Sequence, residues 1–437
     1  MSDALNVELA RAARVRHGQQ LLALGVFAMS LLATVTNLVP LSLFYIVLVP
    51  LAVYGLIRNR ALPRSVVALL VMYAGFLVSV LVYAPSSLLD PGFYRRDGNV
   101  FVTFLPVIIC GALRLHVDAD HLLRGFLRWV TVINAIFIFI LIATGGTIFI
   151  VQPGTYHFLF IAHNAAGGYL ATVTAFAIGN FIARGRAVLP LTLVLINFVG
   201  LVLTVSRGSL LGLVLAIVLV LVLRERFVKS VILATVLVFA SLLAYTYPVW
   251  VATGEPTGFW ESNTPLARQA DIDSEEANVL DRALFLWPRA LDLFLKSPIV
   301  GTGFGSYNDV PYNLVGIPHV VEINRPTELI FSAAHAHNTY LHVMAETGLV
   351  GLALLAFVLR QIWRDIESLE PSAVRLALKL GYWVAIFASL TEHRLFTPSQ
   401  MLPFTILLGV ALARRRWVTQ AAVHEEGGTP AGTCVSP

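Results

Sequence analysis

Hydrophobic and polar residues are blocked along this chain rather than alternating. Apolar runs of about 18 residues, the length a helix needs to cross a bilayer core, recur between residues 20 and 413. They predict twelve helical spans at 20–37, 39–57, 65–83, 99–115, 122–144, 161–182, 188–205, 209–224, 229–248, 338–359, 373–391 and 399–413. Most connections are a few residues long, but residues 249–337 form a polar stretch of 89 residues. Loops of that length are usually functional or carry structure of their own. The expected architecture is all-α: a polytopic integral membrane protein with about 12 transmembrane helices and one large, partly helical loop. Spans one to nine fall in 1–248, the loop in 249–337, spans ten to twelve in 338–416, and 417–437 reads as a disordered cytoplasmic tail.

Composition agrees with this pattern. Hydrophobic residues make up 57% and charged residues 13%, more apolar surface than a soluble domain needs. Lys and Arg set the orientation. With the N-terminus in the cytoplasm, twenty fall on the inner side. Outside the long loop only Arg95, Arg96, Arg207 and Arg394 fall on the outer side. An even number of spans then places both termini in the cytoplasm. Residues 1–19 are polar and basic and lead into a run long enough to span, so no cleavable signal peptide is expected. Cys110 and Cys434 are too far apart in sequence and character to suggest a disulfide framework or a cysteine metal site.

The long loop has internal organisation. Residues 254–276 are rich in Gly, Pro, Asn and acidic residues and read as irregular. Residues 277–297 read as an amphipathic helix with Leu280, Leu284, Trp287, Leu291 and Phe294 as its apolar stripe. Arg282, Arg289 and Lys296 share another side, and Pro288 is expected to kink or split the helix. Gly301, Gly303 and Gly305 read as a tight turn permitting close backbone approach. No preceding strand supports a nucleotide-binding fingerprint. The acidic run Asp271, Asp273, Glu275 and Glu276 reads as solvated surface.

Candidate chemistry gathers where this loop ends. His337 stands at the entrance of span ten, where a neutral imidazole is competent as a proton acceptor. It reads equally as a polar anchor, with Asn338 as the helix N-cap. His335, His337 and His342 lack a helical ligand spacing, and zinc would require a remote further partner, so no metal is expected. Arg207 lies on the side that disfavours arginine. It either snorkels to headgroups or grips a lipid phosphate through its two-pronged guanidinium. Arg282 and Arg289 admit the same phosphate role or simple interfacial docking. Glu346, Glu392, His393 and Arg394 are expected to pair structurally. His163 and Asn164 either line the same cavity or hydrogen-bond between helices. No span shows the symmetric, broken-helix signature of a transporter.

His337-Asn338, nine residues, Gly348, two residues, Gly351 resembles the motif of the O-antigen ligase and polymerase superfamily of bacterial membrane proteins. Ser206-Arg207-Gly208, and Arg282 with Trp287 followed by Lys296-Ser-Pro298 through Gly303, are similar too. The resemblance implies an inner-membrane, metal-independent, inverting glycosyltransferase that needs no cofactor and faces the periplasm through the long loop. The donor would be an undecaprenyl diphosphate-linked glycan and the acceptor a lipid A–core sugar. Its other partners would be membrane lipids, with no nucleic acid. By the same resemblance His337 would act as base, and Arg207, Arg282 and Arg289 would hold the diphosphate. Asn338, His163, Asn164, Gly303, Gly348 and Gly351 would support them. An O-antigen polymerase or a protein O-oligosaccharyltransferase of the same superfamily, or a transporter, are the competing expectations.

Overall fold

The computed structural model describes residues 49–50, 52–57, 62–90, 93, 97–112, 117–144, 156–160, 163–185, 188–222, 286–307 and 335–426. The structure is helical, with no strand among these residues. In chain order the helices are α1 (Arg64–Tyr83), α2 (Asn99–Thr103), α3 (Leu105–Ala112), α4 (Ala119–Ala143), α5 (His163–Arg184), α6 (Val188–Leu203), α7 (Arg207–Ile217, continuing as a π turn over Val218–Val222), α8 (Trp287–Lys296), α9 (Thr339–Glu367), α10 (Ala373–Ala388) and α11 (Pro398–Glu426).

Four of them, α1, α4, α5 and α9, are long and apolar enough to cross a membrane. Asn99–Ala112, Val188–Leu203, Arg207–Leu221 and Pro398–Ala413 are shorter apolar helices. The expected spans at 65–83, 122–144, 161–182, 188–205, 209–224, 338–359, 373–391 and 399–413 coincide with helices to within a few residues at the start. Those at 20–37 and 229–248, and most of 39–57, lie outside the described residues. The expected single span at 99–115 is two helices that meet at Phe104, where Pro106 removes a backbone donor. The last helix runs on to Glu426, past residue 417, where the tail was expected to begin.

The helix α5 is the packing centre, buried continuously from Ala166 to Asn180. Between helices in lipid there is little hydrophobic driving force, so small residues that let backbones approach do much of the work. A Cβ at Gly179 would lie 2.6 Å from the Ala377 nitrogen of α10, and one at Gly212 of α7 would lie 2.9 Å from the Ala388 Cβ. Polar groups join α4 to α6. Asn197 Nδ2 donates to Thr131 Oγ1 at 2.6 Å, and Asn134 Nδ2 donates to Ile196 O at 3.1 Å; such bonds contribute about 1 kcal/mol each. Outward positions such as Val71, Val78, Trp129, Phe139 and Ile142 are exposed and apolar, as a lipid-facing surface requires.

Helix ends that the charge rule assigns to the inner face meet one another. Arg184 of α5 pairs with Asp120 of α4, Arg375 of α10 pairs with Glu367 of α9 at 2.6 Å, and the Ser65 amide of α1 donates to Asp365 at 2.9 Å. A cavity of about 490 Å³ lies among them, lined in part by Asp120, Arg184, Arg375 and Lys379. The starts of α5, α7 and α9 and the end of α10 gather at the opposite end. Arg207, His163, Asn164, His337 and Asn338 are there, while Gly348 and Gly351 lie further along α9.

Candidate functional site

A broken helix frames the site. Inside α9, Gly348 has φ +62° and ψ −158°, a conformation open essentially to glycine alone. The turn after α8 supplies the hydrogen bonds lost at this break. Thr302 N donates to Ala345 O at 3.2 Å and Gly303 N to Glu346 O at 2.8 Å, while Leu349 N and Val350 N donate to Pro298 O and Ile299 O at 2.9 and 3.0 Å. This main-chain contact leaves no room for side chains. A Cβ at Gly348 would lie 2.7 Å from the Gly301 nitrogen and nearer still to the Ile299 carbonyl. Gly301 (φ +75°) and Gly303 (φ +115°) complete the turn, and a Cβ at Gly351 would strike the Thr347 side chain. The sequence motif therefore has a steric origin. It also corrects the expectation of unbroken spans: one helix is broken, beside the site.

His337 precedes α9 with φ +46°, rare for a residue with a side chain and costing about 1–3 kcal/mol where it persists. Its surroundings hold it there. Asn338 caps α9, its Oδ1 accepting from Tyr340 N and Leu341 N at 3.0 and 3.1 Å, while its Nδ2 donates to Leu390 O at 3.0 Å. Thr339 N donates to Ser389 O at 3.0 Å, and Thr339 Oγ1 to Glu392 O at 3.2 Å. His337 Nδ1 lies 3.0 Å from Glu392 Oε2. An ionised Glu392 carboxylate only accepts, so against it a neutral His337 imidazole would carry its proton on Nδ1 and leave the Nε2 lone pair open. The pair is partly open, with side-chain exposures of 26% for His337 and 12% for Glu392.

Arg207 opens α7 and is exposed. A cation at a helix N-terminus opposes the helix dipole, whereas an anion there is favoured. The next residue, Gly208, packs against the connection carrying Glu392: a Cβ on it would meet the Thr391 hydroxyl and lie 3.7 Å from Glu392 Cγ. Ser206, just before, donates to Asn164 Oδ1 at 3.2 Å. Arg394 is buried behind it, donating from Nη2 to Ser206 Oγ at 3.1 Å and from Nη1 to Gln400 Oε1 at 2.5 Å. The adjacent Gly167 and Gly168 of α5 make room, since Cβ atoms there would collide with Ser206 and Arg394 respectively. Asn164 thus hydrogen-bonds between helices, and His163 faces the His157 ring edge-on at 6.0 Å.

The helix α8 presents a different face from the one its sequence suggests. Leu286, Arg289, Ala290 and Leu293 are buried, whereas Leu291 and Leu295 are exposed. Pro288 sits in the first turn of the described helix, where its missing N–H costs nothing; the expected helical stretch before it, 277–285, lies outside the described residues. Arg289 is buried, its Nη2 donating to Tyr307 O at 2.5 Å and its guanidinium 5.0 Å from the Tyr307 ring centre. Tyr307 N in turn donates to Glu346 Oε1 at 3.0 Å, the donor that Glu346 was expected to find. Arg282 and the acidic run at 271–276 lie outside the described residues.

Sequence reasoning left Glu392 and Arg394 as structural pairs and did not connect them to His337 and Ser206. They are distant in the chain, and only the fold of the 389–397 connection brings them in. The same connection carries His393, whose basicity is held well below that of an ordinary histidine by burial, then by His342, His335 and His337 around it.

Residues 191–356, from α6 through the break in α9, match the family model for O-antigen ligase. The match covers 166 of the 437 residues, and over that stretch the chain is similar to O-antigen ligases. The ligase segment contains Arg207, Arg282, Arg289, Gly303, His337, Asn338, Gly348 and Gly351; His163, Asn164 and the Glu392–Arg394 connection lie outside it. The match supports a glycosyl-transfer type of enzyme, and the long apolar helices suit a membrane protein. Comparison with curated proteins gives no match.

Proposed function

We propose that the protein transfers an O-antigen glycan from undecaprenyl diphosphate to a sugar hydroxyl of lipid A–core, on the periplasmic face of the inner membrane. The observation that carries this reading is His337, fixed by Glu392 with Nε2 available, beside the Arg207 end of α7 within an O-antigen ligase segment. Nε2 takes the proton of the acceptor hydroxyl as its oxygen attacks the anomeric carbon. The bond from that carbon to the diphosphate breaks, and undecaprenyl diphosphate leaves with the electron pair. Attack opposite the leaving group inverts the carbon. Arg207 and Arg282 meet the developing charge on the diphosphate, and Arg289 contributes from α8; preorganised cations of this kind stabilise a transition state at no reorganisation cost. Glu392 stabilises the imidazolium formed. The transfer step itself uses no metal.

Two features favour an enzyme over a transporter. His337, Asn338, Arg207, His163 and Asn164 sit at helix starts that gather at one end of the bundle, and a strained histidine is the kind of backbone outlier found at reaction centres. The test is transfer by purified protein given lipid-linked glycan and lipid A–core, without nucleotides. Capped lipid A–core supports the reading. Lengthened lipid-linked glycan alone would make it a polymerase, and no product from either acceptor would refute it.

A further inference from the structure

Behind His337 lies a second cluster that the transfer chemistry does not use. His335 ends the long loop, His342 is in the first turn of α9, and His393 is in the connection between α10 and α11. Their ligating nitrogens lie within 4.8 Å of one another. The His335 and His393 rings are parallel at 4.5 Å, and His342 meets His393 edge-on at 4.5 Å. His342 Nε2 is also 3.5 Å from Glu346 Oε2 and 3.7 Å from Asp97 Oδ1. His342, His393, Glu346 and Asp97 are all buried. His393 is 7% exposed, and neither of its ring nitrogens has a hydrogen-bond partner among the described residues. Glu346 Oε2 has none either.

We propose that His335, His342 and His393 bind one divalent transition-metal ion of the zinc type. Imidazole nitrogens suit such ions, and hard alkaline-earth ions prefer oxygen. Carboxylates set against the far nitrogen of a ligating histidine are the usual outer support for these sites, orienting the ring and raising its basicity. Glu346 and Asp97 lie within 3.7 Å of His342 Nε2, close enough to serve that role when His342 ligates through Nδ1, and their charge offsets that of the ion. Zinc–nitrogen bonds are about 2.0–2.1 Å, so small side-chain movements close the cluster. The three ligands come from the loop end, α9 and the 389–397 connection, the same segments that present His337 and Glu392. The ion is a structural tie behind the reaction centre, and its presence does not depend on the proposed reaction.

The test is the metal content of full-length protein purified in detergent without a histidine tag. We expect close to one zinc per chain by mass spectrometry. After removal by a chelator, added Co²⁺ should give the visible absorption of a nitrogen-rich tetrahedral site. His393→Ala and the milder His335→Asn should lose the metal, and the chelator should lower the melting temperature of the wild type but not of these two variants. His337→Ala should retain it. A wild type without metal that takes up no Co²⁺ overturns the proposal, as does full occupancy in both His335→Asn and His393→Ala.

Discussion

Replacing Glu392 by glutamine isolates the carboxylate behind the base. The Glu392–His337 contact is 3.0 Å, and the carboxylate is nearly shielded from water. Glutamine keeps the shape, and its carbonyl can still accept from Nδ1, but the charge opposing a developing imidazolium is gone. A hydrogen bond to a charged partner is worth about 1.5–3 kcal/mol, and each 1.36 kcal/mol at the barrier is tenfold in rate. Loss of the charge alone therefore lowers kcat about ten- to hundredfold. If the amide turns its NH₂ toward Nδ1, the proton moves to Nε2 and the base is lost, which adds to the deficit. KM for the lipid-linked donor should not change, because Glu392 sits on the far side of the imidazole from the substrate. The assay is initial-rate transfer to lipid A–core in nanodiscs, with Glu392→Asp alongside as the variant that restores charge but shortens reach. Wild-type kcat in Glu392→Gln would refute the pairing as part of the reaction. A rise in KM at constant kcat would assign Glu392 to substrate binding instead.

His337→Asn tolerates the left-handed backbone better than alanine, so it should insert and melt like wild type while transfer is abolished and lipid-linked donor accumulates; normal capped lipopolysaccharide in cells would exclude His337 as base. Arg207→Lys retains charge but not the fork, and a loss of about tenfold or more in kcat/KM is expected; wild-type turnover would mark Arg207 as a snorkelling residue. Gly348→Ala forces a Cβ into the Ile299–Gly301 backbone and a glycine-only conformation, a cost of about 1–3 kcal/mol in strain alone; a melting temperature equal to wild type would show that the break is not under this constraint. Asp120→Asn at the opposite end breaks a partly exposed ion pair worth roughly 0–1 kcal/mol and should leave transfer unchanged.

Much of the helical framework is legible in the sequence because apolar blocks of spanning length have few alternative folds. Eight expected spans fall on helices with starts good to a few residues. Asn338 as the cap of α9 is legible for the same local reason. The failures are non-local. Periodicity across 277–297 gives an apolar stripe through Leu291, but a helix at a lipid boundary has two apolar surroundings. The stripe says nothing of which one takes Leu291 and which side takes Arg289. The break at Gly348 is invisible in hydropathy, since its hydrogen bonds are supplied by a turn about fifty residues earlier. Glu392 reads as an ordinary helix-end acid until the fold sets it against His337.

The seam between Gly301 and Gly348 joins two stretches of main chain with nothing interposed. A clash between side chains can be relieved by trimming a neighbour, but here there is no neighbour to trim. A lesion at either glycine should therefore resist suppression by second-site change, and revertants should restore glycine itself. This part of the molecule gives drift no intermediate step, however freely the surrounding apolar surface is exchanged.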